Sequence, residues 1–147
     1  MPNVELPFAR SEYDGRITEV RRAMADQGLE LLLVTDPSNM HWLTGYDGWS
    51  FYVHQCVLLT LDGEPFWYGR QQDSHGALRT VFMDPAHILF YPEHYIQTPD
   101  RHPWTIWPAR SRREVGEISM PAWRWTIIIT PPRPMAPWSE AAQCPVS

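Results

Sequence analysis

A short apolar run at residues 29–35 constrains the fold of this chain more than any other feature. Five of its seven residues are Leu or Val, Gly28 precedes it, and Asp36 and Pro37 follow it. A run of this length between turn residues is typical of a strand that is buried on both faces, as in sheets that carry helices on each side. The run therefore predicts a buried strand in an α/β fold.

A helix and then a loop rich in aromatic residues are expected after this strand. Asp36 suits an N-cap, Pro37 suits the first helical position, and Gly45 suits the end of the helix. Residues 46–52 then read Tyr-Asp-Gly-Trp-Ser-Phe-Tyr. Loops at the ends of strands and helices carry many small-molecule contacts, so this loop is the first candidate for a binding site. The alternative is a structural loop whose aromatic rings cover one end of the sheet.

A further helix is predicted before the strand. Ser11 suits its N-cap and Gly28 its C-terminal cap. Its apolar residues recur at helical spacing and predict one buried face: Tyr13, Ile17, Val20 and Met24.

Strands and helices alternate in the next forty residues. Two apolar runs, residues 55–61 and 64–69, flank an Asp-Gly pair that favours a tight hairpin turn. Residues 71–81 suit a helix, and residues 87–91 suit a further strand. This alternation predicts a layered α/β domain with a mixed sheet.

Composition excludes several classes of function. The chain has 147 residues, a net charge of −5 and no lysine. An acidic chain without a basic stripe is unsuited to nucleic acid, and no apolar run reaches the ~20 residues of a membrane helix. The start of the chain lacks a secretory pattern, so we expect a cytoplasmic location. Cys56 and Cys144 form no paired pattern and are predicted to be free thiols.

Neither a metal site nor a catalytic motif is predicted. The six histidines match no zinc spacing. The sequence also contains no Gly-rich phosphate loop and no nucleophile elbow. We therefore expect no metal, no cofactor and no catalytic residue in this chain.

The segment from Asp36 to Tyr46 also resembles a known signature. Asp-Pro-Ser-Asn-Met-x-Trp-Leu-Thr-Gly-Tyr is similar to the N-terminal domain of creatinase, prolidase and Xaa-Pro aminopeptidase relatives. The continuation Tyr-Asp-Gly-Trp-Ser-Phe-Tyr-Val-His-Gln resembles the ectoine hydrolases of that superfamily. The resemblance covers residues 6–103 and implies an incomplete creatinase/prolidase N-terminal-like domain, a three-layer α/β fold with a mixed sheet, over residues 1–103.

The resemblance also implies a role for the segment around residues 46–52. In creatinase-like dimers, the N-terminal domain of one subunit closes over the active site of the other. The residues that match substrate contacts by position are Trp49, Ser50, Phe51 and Tyr52, with Asp47 and His54 as weaker matches. Aromatic walls with a few polar groups suit a small zwitterionic ring such as ectoine. Arg70 is a second candidate, for a carboxylate, although an Arg that caps a strand end in solvent is an equally good interpretation.

The last third of the chain has a different composition. Residues 103–147 hold eight of the fifteen prolines and five of the eight tryptophans, which disfavours both helix and sheet. Residues 104–108, back-translated and read one base earlier, give Met-Asp-Tyr-Leu-Ala. Residues 123–130 give Glu-Met-Asp-Asn-Tyr-Tyr-Tyr in the same frame, and both peptides resemble family segments. We therefore predict that residues 104–147 are an out-of-frame, irregular and disordered tail.

The resemblance places the catalytic machinery of the family in a separate C-terminal domain. The chain is therefore predicted to be the capping and dimerisation domain of a hydrolase that opens a cyclic amidine with water, and to be inactive alone. Its expected partners are a second subunit and a small-molecule substrate held by that subunit's catalytic domain. Two alternatives stay open: a stand-alone ligand-binding module, and a fragment of an Xaa-Pro aminopeptidase.

Overall fold

The computed structural model describes residue 4, residues 6–103 and residues 105–106. The predicted out-of-frame tail lies outside these residues, apart from residues 105 and 106. The described part contains three complete α-helices, four strands and two short 3₁₀ turns, at Pro85–His87 and Glu93–Tyr95. Pro103, Thr105 and Ile106 are also helical, so the first described residues of the predicted irregular tail are not irregular. Within it, no helix is long and apolar enough to cross a membrane.

The first helix, α1, spans Arg10–Asp26. Tyr13, Ile17 and Met24 are buried on one face, as their spacing predicts. The helix starts earlier than predicted: Ala9 is the N-cap and makes no side-chain hydrogen bond, so Ser11 lies inside the helix and the prediction of a serine cap is wrong.

Strand β1 (Leu31–Val34) and helix α2 (Pro37–Thr44) follow. The Asp36 carboxylate accepts a hydrogen bond from the Asn39 amide at 2.9 Å, Pro37 occupies the first turn, and Gly45 ends the helix with φ of 82°. These three local predictions are confirmed. By contrast, β1 alternates between buried and half-buried residues and lies at the edge of the sheet that the described residues form. The prediction that it is fully buried on both faces is therefore wrong.

Strand β2 (Cys56–Thr60) and strand β3 (Phe66–Arg70) form the predicted hairpin, but residues 61–65 connect them and the turn is longer than predicted. Helix α3 (Gln71–Thr80) then leads to strand β4 (Ile88–Tyr91). The strand order is β1-β2-β3-β4, with the first two pairs antiparallel and the last pair parallel. The chain therefore has the predicted α/β fold with a mixed sheet.

The sheet is covered on both faces by different parts of the chain. On one face, Leu32, Leu59 and Trp67 belong to the same buried cluster as residues of all three helices. On the other face, Leu58, Tyr68 and Leu89 are buried in a second cluster, against which Tyr95, Ile96 and Ile106 pack. The central strands are therefore apolar on both sides, which explains why β2 and β3 are buried at four of five positions.

Two tyrosines of the second face tie loops to the sheet. The Tyr68 hydroxyl donates to the Pro103 carbonyl at 2.8 Å, and the Tyr91 hydroxyl donates to the His54 carbonyl at 2.8 Å. The two rings are neighbours, with centroids 5.5 Å apart. The chain at residue 103 and the end of the segment that follows α2 are thus fixed to adjacent strands.

Candidate functional site

Three neighbouring aromatic side chains are exposed after helix α2. Trp49 is 84% exposed, Phe51 72% and Tyr52 60%. Exposed aromatic rings that lie next to one another are typical of binding surfaces, because each ring keeps apolar area in water. We call residues Trp49–Tyr52 the aromatic loop. The structure therefore does not support the alternative that these three rings cover the end of the sheet.

Ser50 anchors the aromatic loop from below. Its side chain is buried, and its hydroxyl donates to Asp73 Oδ1 at 2.8 Å. Arg70 donates two hydrogen bonds to the same carboxylate, from Nε to Oδ2 at 2.9 Å and from Nη2 to Oδ1 at 3.0 Å. Its Nη2 also donates to Ser50 Oγ at 3.3 Å. The loop is thus held by a charged network at the junction of β3 and α3. We call Ser50, Arg70 and Asp73 the anchor network.

The guanidinium of Arg70 makes its hydrogen bonds to Asp73 and Ser50 of this network. Its hydrogen bond with Asp73, opposed by partial burial, raises the pKa of Arg70 above its ordinary value. The same group lies 5.7 Å from the centre of the Tyr52 ring. Arg70 therefore joins the predicted loop residues in space, and its strongest contact is a carboxylate of this chain.

The start of the segment is packed rather than exposed. Tyr46 is buried against Trp67, with ring centroids 5.3 Å apart, and its hydroxyl donates to Gln55 Oε1 at 2.8 Å. The Asp47 amide donates to Thr80 Oγ1 at 3.2 Å, so Asp47 is fixed to the end of α3. Of the aromatic residues 46–52, Tyr46 belongs to the core and the other three form the surface.

A cleft of about 170 Å³ lies beside the aromatic loop. It is lined by Tyr52, Val53, His54, Tyr91, Tyr95, Ile96, Gln97, Thr98, Arg101, His102 and Pro103. The rings of His54 and His102 lie 4.4 Å apart, and burial, together with the nearby His102, lowers the pKa of His54. His54 therefore faces a different environment from the anchor network.

The chemistry of the remaining reactive groups is limited in the described part of the chain. No group of three or more His, Cys, Asp or Glu residues there is arranged to hold a metal ion. Cys56 is a free thiol, fully buried in β2, and burial raises its pKa. A buried thiol of this kind is inert as a nucleophile.

Sequence reasoning found the loop and Arg70 but missed Asp73. The signal was present, since Asp73 stands three residues after Arg70 in the first turn of a predicted helix, where an acid is favourable. The contact from Ser50 across 23 positions carries no such local signal. The cleft was missed for the same reason, because its walls come from three separate segments.

The same mixed sheet and helices occur in solved structures of dipeptidases. A proline dipeptidase from Streptococcus pneumoniae superposes with a TM-score of 0.53 and 17% identity, covering 65% of this chain and 64% of that one. The N-terminal domain of an Xaa-Pro dipeptidase from Lactobacillus brevis gives a TM-score of 0.54 and 14% identity, covering 67% of each. These likenesses establish the fold.

The chain belongs to the Creatinase/Prolidase N-terminal domain family, which matches residues 16–118. It is 60% identical over 125 residues to an ectoine hydrolase from Halomonas elongata, covering 82% of this chain. It is 41% identical over 98 residues to an uncharacterised hydrolase/peptidase, y4tM, from Sinorhizobium fredii, covering 66% of this chain. The chain spans 31% and 25% of these two relatives.

The family match extends past residue 103, where the sequence analysis places the end of the domain. That boundary and the change of reading frame after it stay predictions.

Proposed function

We propose that this chain is the N-terminal capping and dimerisation domain of a cytoplasmic hydrolase that opens a cyclic amidine such as ectoine with water. In this proposal the aromatic loop of one subunit closes over a substrate that is bound in the catalytic domain of the partner subunit. The 60% identity to an ectoine hydrolase supports the substrate class.

The anchor network carries the proposal. Burial of three solvent-exposed rings in a complex is favourable. The ordering of a flexible loop costs conformational entropy, so a loop that is already rigid binds more tightly. Ser50 supplies that rigidity, because it lies between Trp49 and Phe51 and is bound to a carboxylate that Arg70 also holds. The rings are thus preorganised, which suits a lid over a small substrate.

The chemistry of the loop fits a cationic ring. An amidinium is a delocalised cation, and a cation over an aromatic face gains about 0.5 to 2 kcal/mol, more as water is excluded. Trp49, Phe51 and Tyr52 supply such faces. Asp47 and Arg70 stand at the edge of the loop as polar contacts for the rest of the substrate.

Catalysis belongs to the part of the protein that this chain does not cover. We propose that the chain alone contributes no catalytic residue, metal ligand or cofactor contact and does not turn over substrate. The coverage of 31% of the ectoine hydrolase supports this division of labour, since two thirds of that protein has no counterpart here.

The test begins at the gene. Resequencing from the codon of Asp100 to well beyond the stop codon is expected to show one base missing or extra near Pro103, with a second domain in the restored frame. The restored protein and the 147-residue chain are then incubated with ectoine, and ring opening is followed by proton NMR. Turnover by the restored protein alone is the expected result; turnover by the 147-residue chain would refute the proposal.

A matched pair of tryptophans tests the loop in the restored protein. Trp49→Ala is expected to lower kcat/KM for ectoine at least tenfold. Trp42→Ala is the control, because Trp42 is 43% exposed on α2 and lies outside the loop. Equal effects of the two substitutions would remove the loop from substrate binding.

The two alternatives give different results in the same experiments. Hydrolysis of an Xaa-Pro dipeptide but not of ectoine would assign the restored protein to the peptidases. If the gene shows no second frame, saturable binding of ectoine by a folded, monodisperse 147-residue chain would identify a stand-alone binding module.

A further inference from the structure

The cleft beside the aromatic loop combines aromatic walls with one guanidinium and two imidazoles. Tyr52, Tyr91 and Tyr95 supply rings, and Arg101, His54 and His102 supply groups that carry or accept a proton. The residues that line the cleft include no Asp or Glu. Arg101 places a positive charge in this lining, and that charge favours an anion over a cation.

The backbone around the cleft has two notable features. The His54 carbonyl accepts the Tyr91 hydroxyl, which fixes His54 to β4, and the His54 ring lies 4.4 Å from that of His102. Gln97 has a φ of 49°, and it is the sole described residue other than glycine in the left-handed region. Gln97 and the next residue, Thr98, line the cleft together with His54.

The charge of Arg101 is available to a ligand. Its ion pair with Asp100 has an N–O distance of 3.4 Å, and the two side chains are 50% and 68% exposed. Ion pairs this exposed contribute at most about 1 kcal/mol, so a carboxylate in the cleft competes with Asp100 at little cost.

The size of the cleft limits the ligand. Pockets for drug-sized molecules measure roughly 300 to 1,000 Å³, and this cleft holds about 170 Å³. A cleft of this volume suits a single ring with one carboxylate better than a nucleotide.

We propose that this cleft binds a small monocyclic carboxylate, with its carboxylate on Arg101 and the two histidines and its ring against Tyr52, Tyr91 and Tyr95. The site uses residues of this chain alone. It is separate from the proposed role of the aromatic loop, although Tyr52 belongs to both, and its occupancy would fix one end of that loop.

Benzoate is the probe, and benzamide is the matched neutral probe. Both are titrated into the 147-residue chain while the His54 and His102 ring protons are followed by NMR. Benzoate is expected to shift both histidines with a Kd in the millimolar range, and to raise their pKa values, since a bound anion favours the imidazolium. Benzamide is expected to bind at least fivefold more weakly. Equal binding of the two probes, or no saturation by benzoate, would overturn the proposal.

Two variants localise the site. Arg101→Gln is expected to weaken benzoate at least fivefold and to leave benzamide unchanged, and Asp100→Asn is expected to tighten benzoate by removing the competing carboxylate. Arg79→Gln is the control, because Arg79 lies on α3 and does not line the cleft. An Arg101→Gln chain that binds benzoate as tightly as the Arg79→Gln chain would contradict the assignment. Should Arg101→Gln fail to fold, the comparison of benzoate with benzamide in the unaltered chain still decides the question.

Discussion

Arg70 holds both carboxylate oxygens of Asp73, at 2.9 and 3.0 Å, across the junction between a strand and the helix that follows it. The two side chains are 11% and 13% exposed. A bidentate pair in this position is stronger than a surface ion pair, because water competes less and the geometry is fixed.

Replacing Asp73 with Asn is expected to destabilise the chain by about 2 kcal/mol, since it breaks charge-assisted hydrogen bonds from both Arg70 and Ser50. Urea unfolding measures this change. Asp14→Asn is the control: Asp14 pairs with Arg10 at 2.9 Å on the surface of α1, and its loss should cost less than about 1 kcal/mol. If the two substitutions cost the same, the anchor network does not stabilise the loop.

Two tryptophans of the chain should differ sharply in their contribution to stability. Trp67 is fully buried in β3, and Trp67→Ala is expected to cost about 3 to 5 kcal/mol. Trp49 is 84% exposed, and Trp49→Ala should change the free energy of unfolding by less than about 0.5 kcal/mol. Thermal or urea unfolding of both variants checks this. A large loss in Trp49→Ala would show that the ring packs against the protein in solution.

Gly48 is expected to resist substitution. A Cβ added there would run into the ring of Tyr46, which is buried and bonded to Gln55. Gly48→Ala should therefore destabilise the chain by about 1 to 3 kcal/mol through displacement of that ring. Gly15→Ala is the matched control: nothing lies within 4 Å of its added Cβ inside α1, so it should stabilise by up to about 1 kcal/mol. Gain of stability in both variants would contradict the packing of Tyr46.

Cys56 should react only after unfolding. Burial in β2 raises its pKa and blocks access to the sulfur. In a Cys144→Ser background, DTNB is expected to label no thiol in the native chain and one thiol in concentrated urea. Rapid labelling without urea would show that β2 opens easily.

Acid should weaken the fold through His54. Its pKa is lowered in the folded state by burial and by His102, so the unfolded chain binds more protons below the ordinary value of 6.5. Stability is therefore expected to fall as the pH drops through and below 6.5, and the slope should flatten in His54→Gln. Urea midpoints measured across this range test the prediction. The same slope in both chains would assign the effect to other groups.

Local chemistry predicted those parts of the fold that depend on neighbouring residues. The Asp36 cap, the Gly45 end and the hairpin at Asp62 and Gly63 each follow from the conformational preference of one or two residues. The edge position of β1 did not follow, because it depends on which strands pair. Ser11 was a plausible cap, yet α1 begins before it, at Arg10, whose side chain bonds Asp14 and Glu64.

The candidate site also contains residues that the sequence predicted and contacts that it did not. The sequence pointed to Trp49, Ser50, Phe51 and Tyr52 together as candidate binding residues, and the structure exposes the three rings. Composition could not predict that Ser50 would be buried, because its partner Asp73 comes from a helix that is distant in sequence. The cleft depends on contacts between β4, the segment after α2 and residues 95–103, which no local pattern records.

The paired tyrosines Tyr68 and Tyr91 have a mechanical consequence. One holds the carbonyl of Pro103 and the other the carbonyl of His54, on rings that touch. The polypeptide that continues beyond Pro103 therefore leaves from a point that is clamped to the same two strands as the base of the aromatic loop. A displacement of the backbone at Pro103 would disturb the Tyr68 ring and, through the neighbouring Tyr91 ring, the His54 carbonyl next to the aromatic loop.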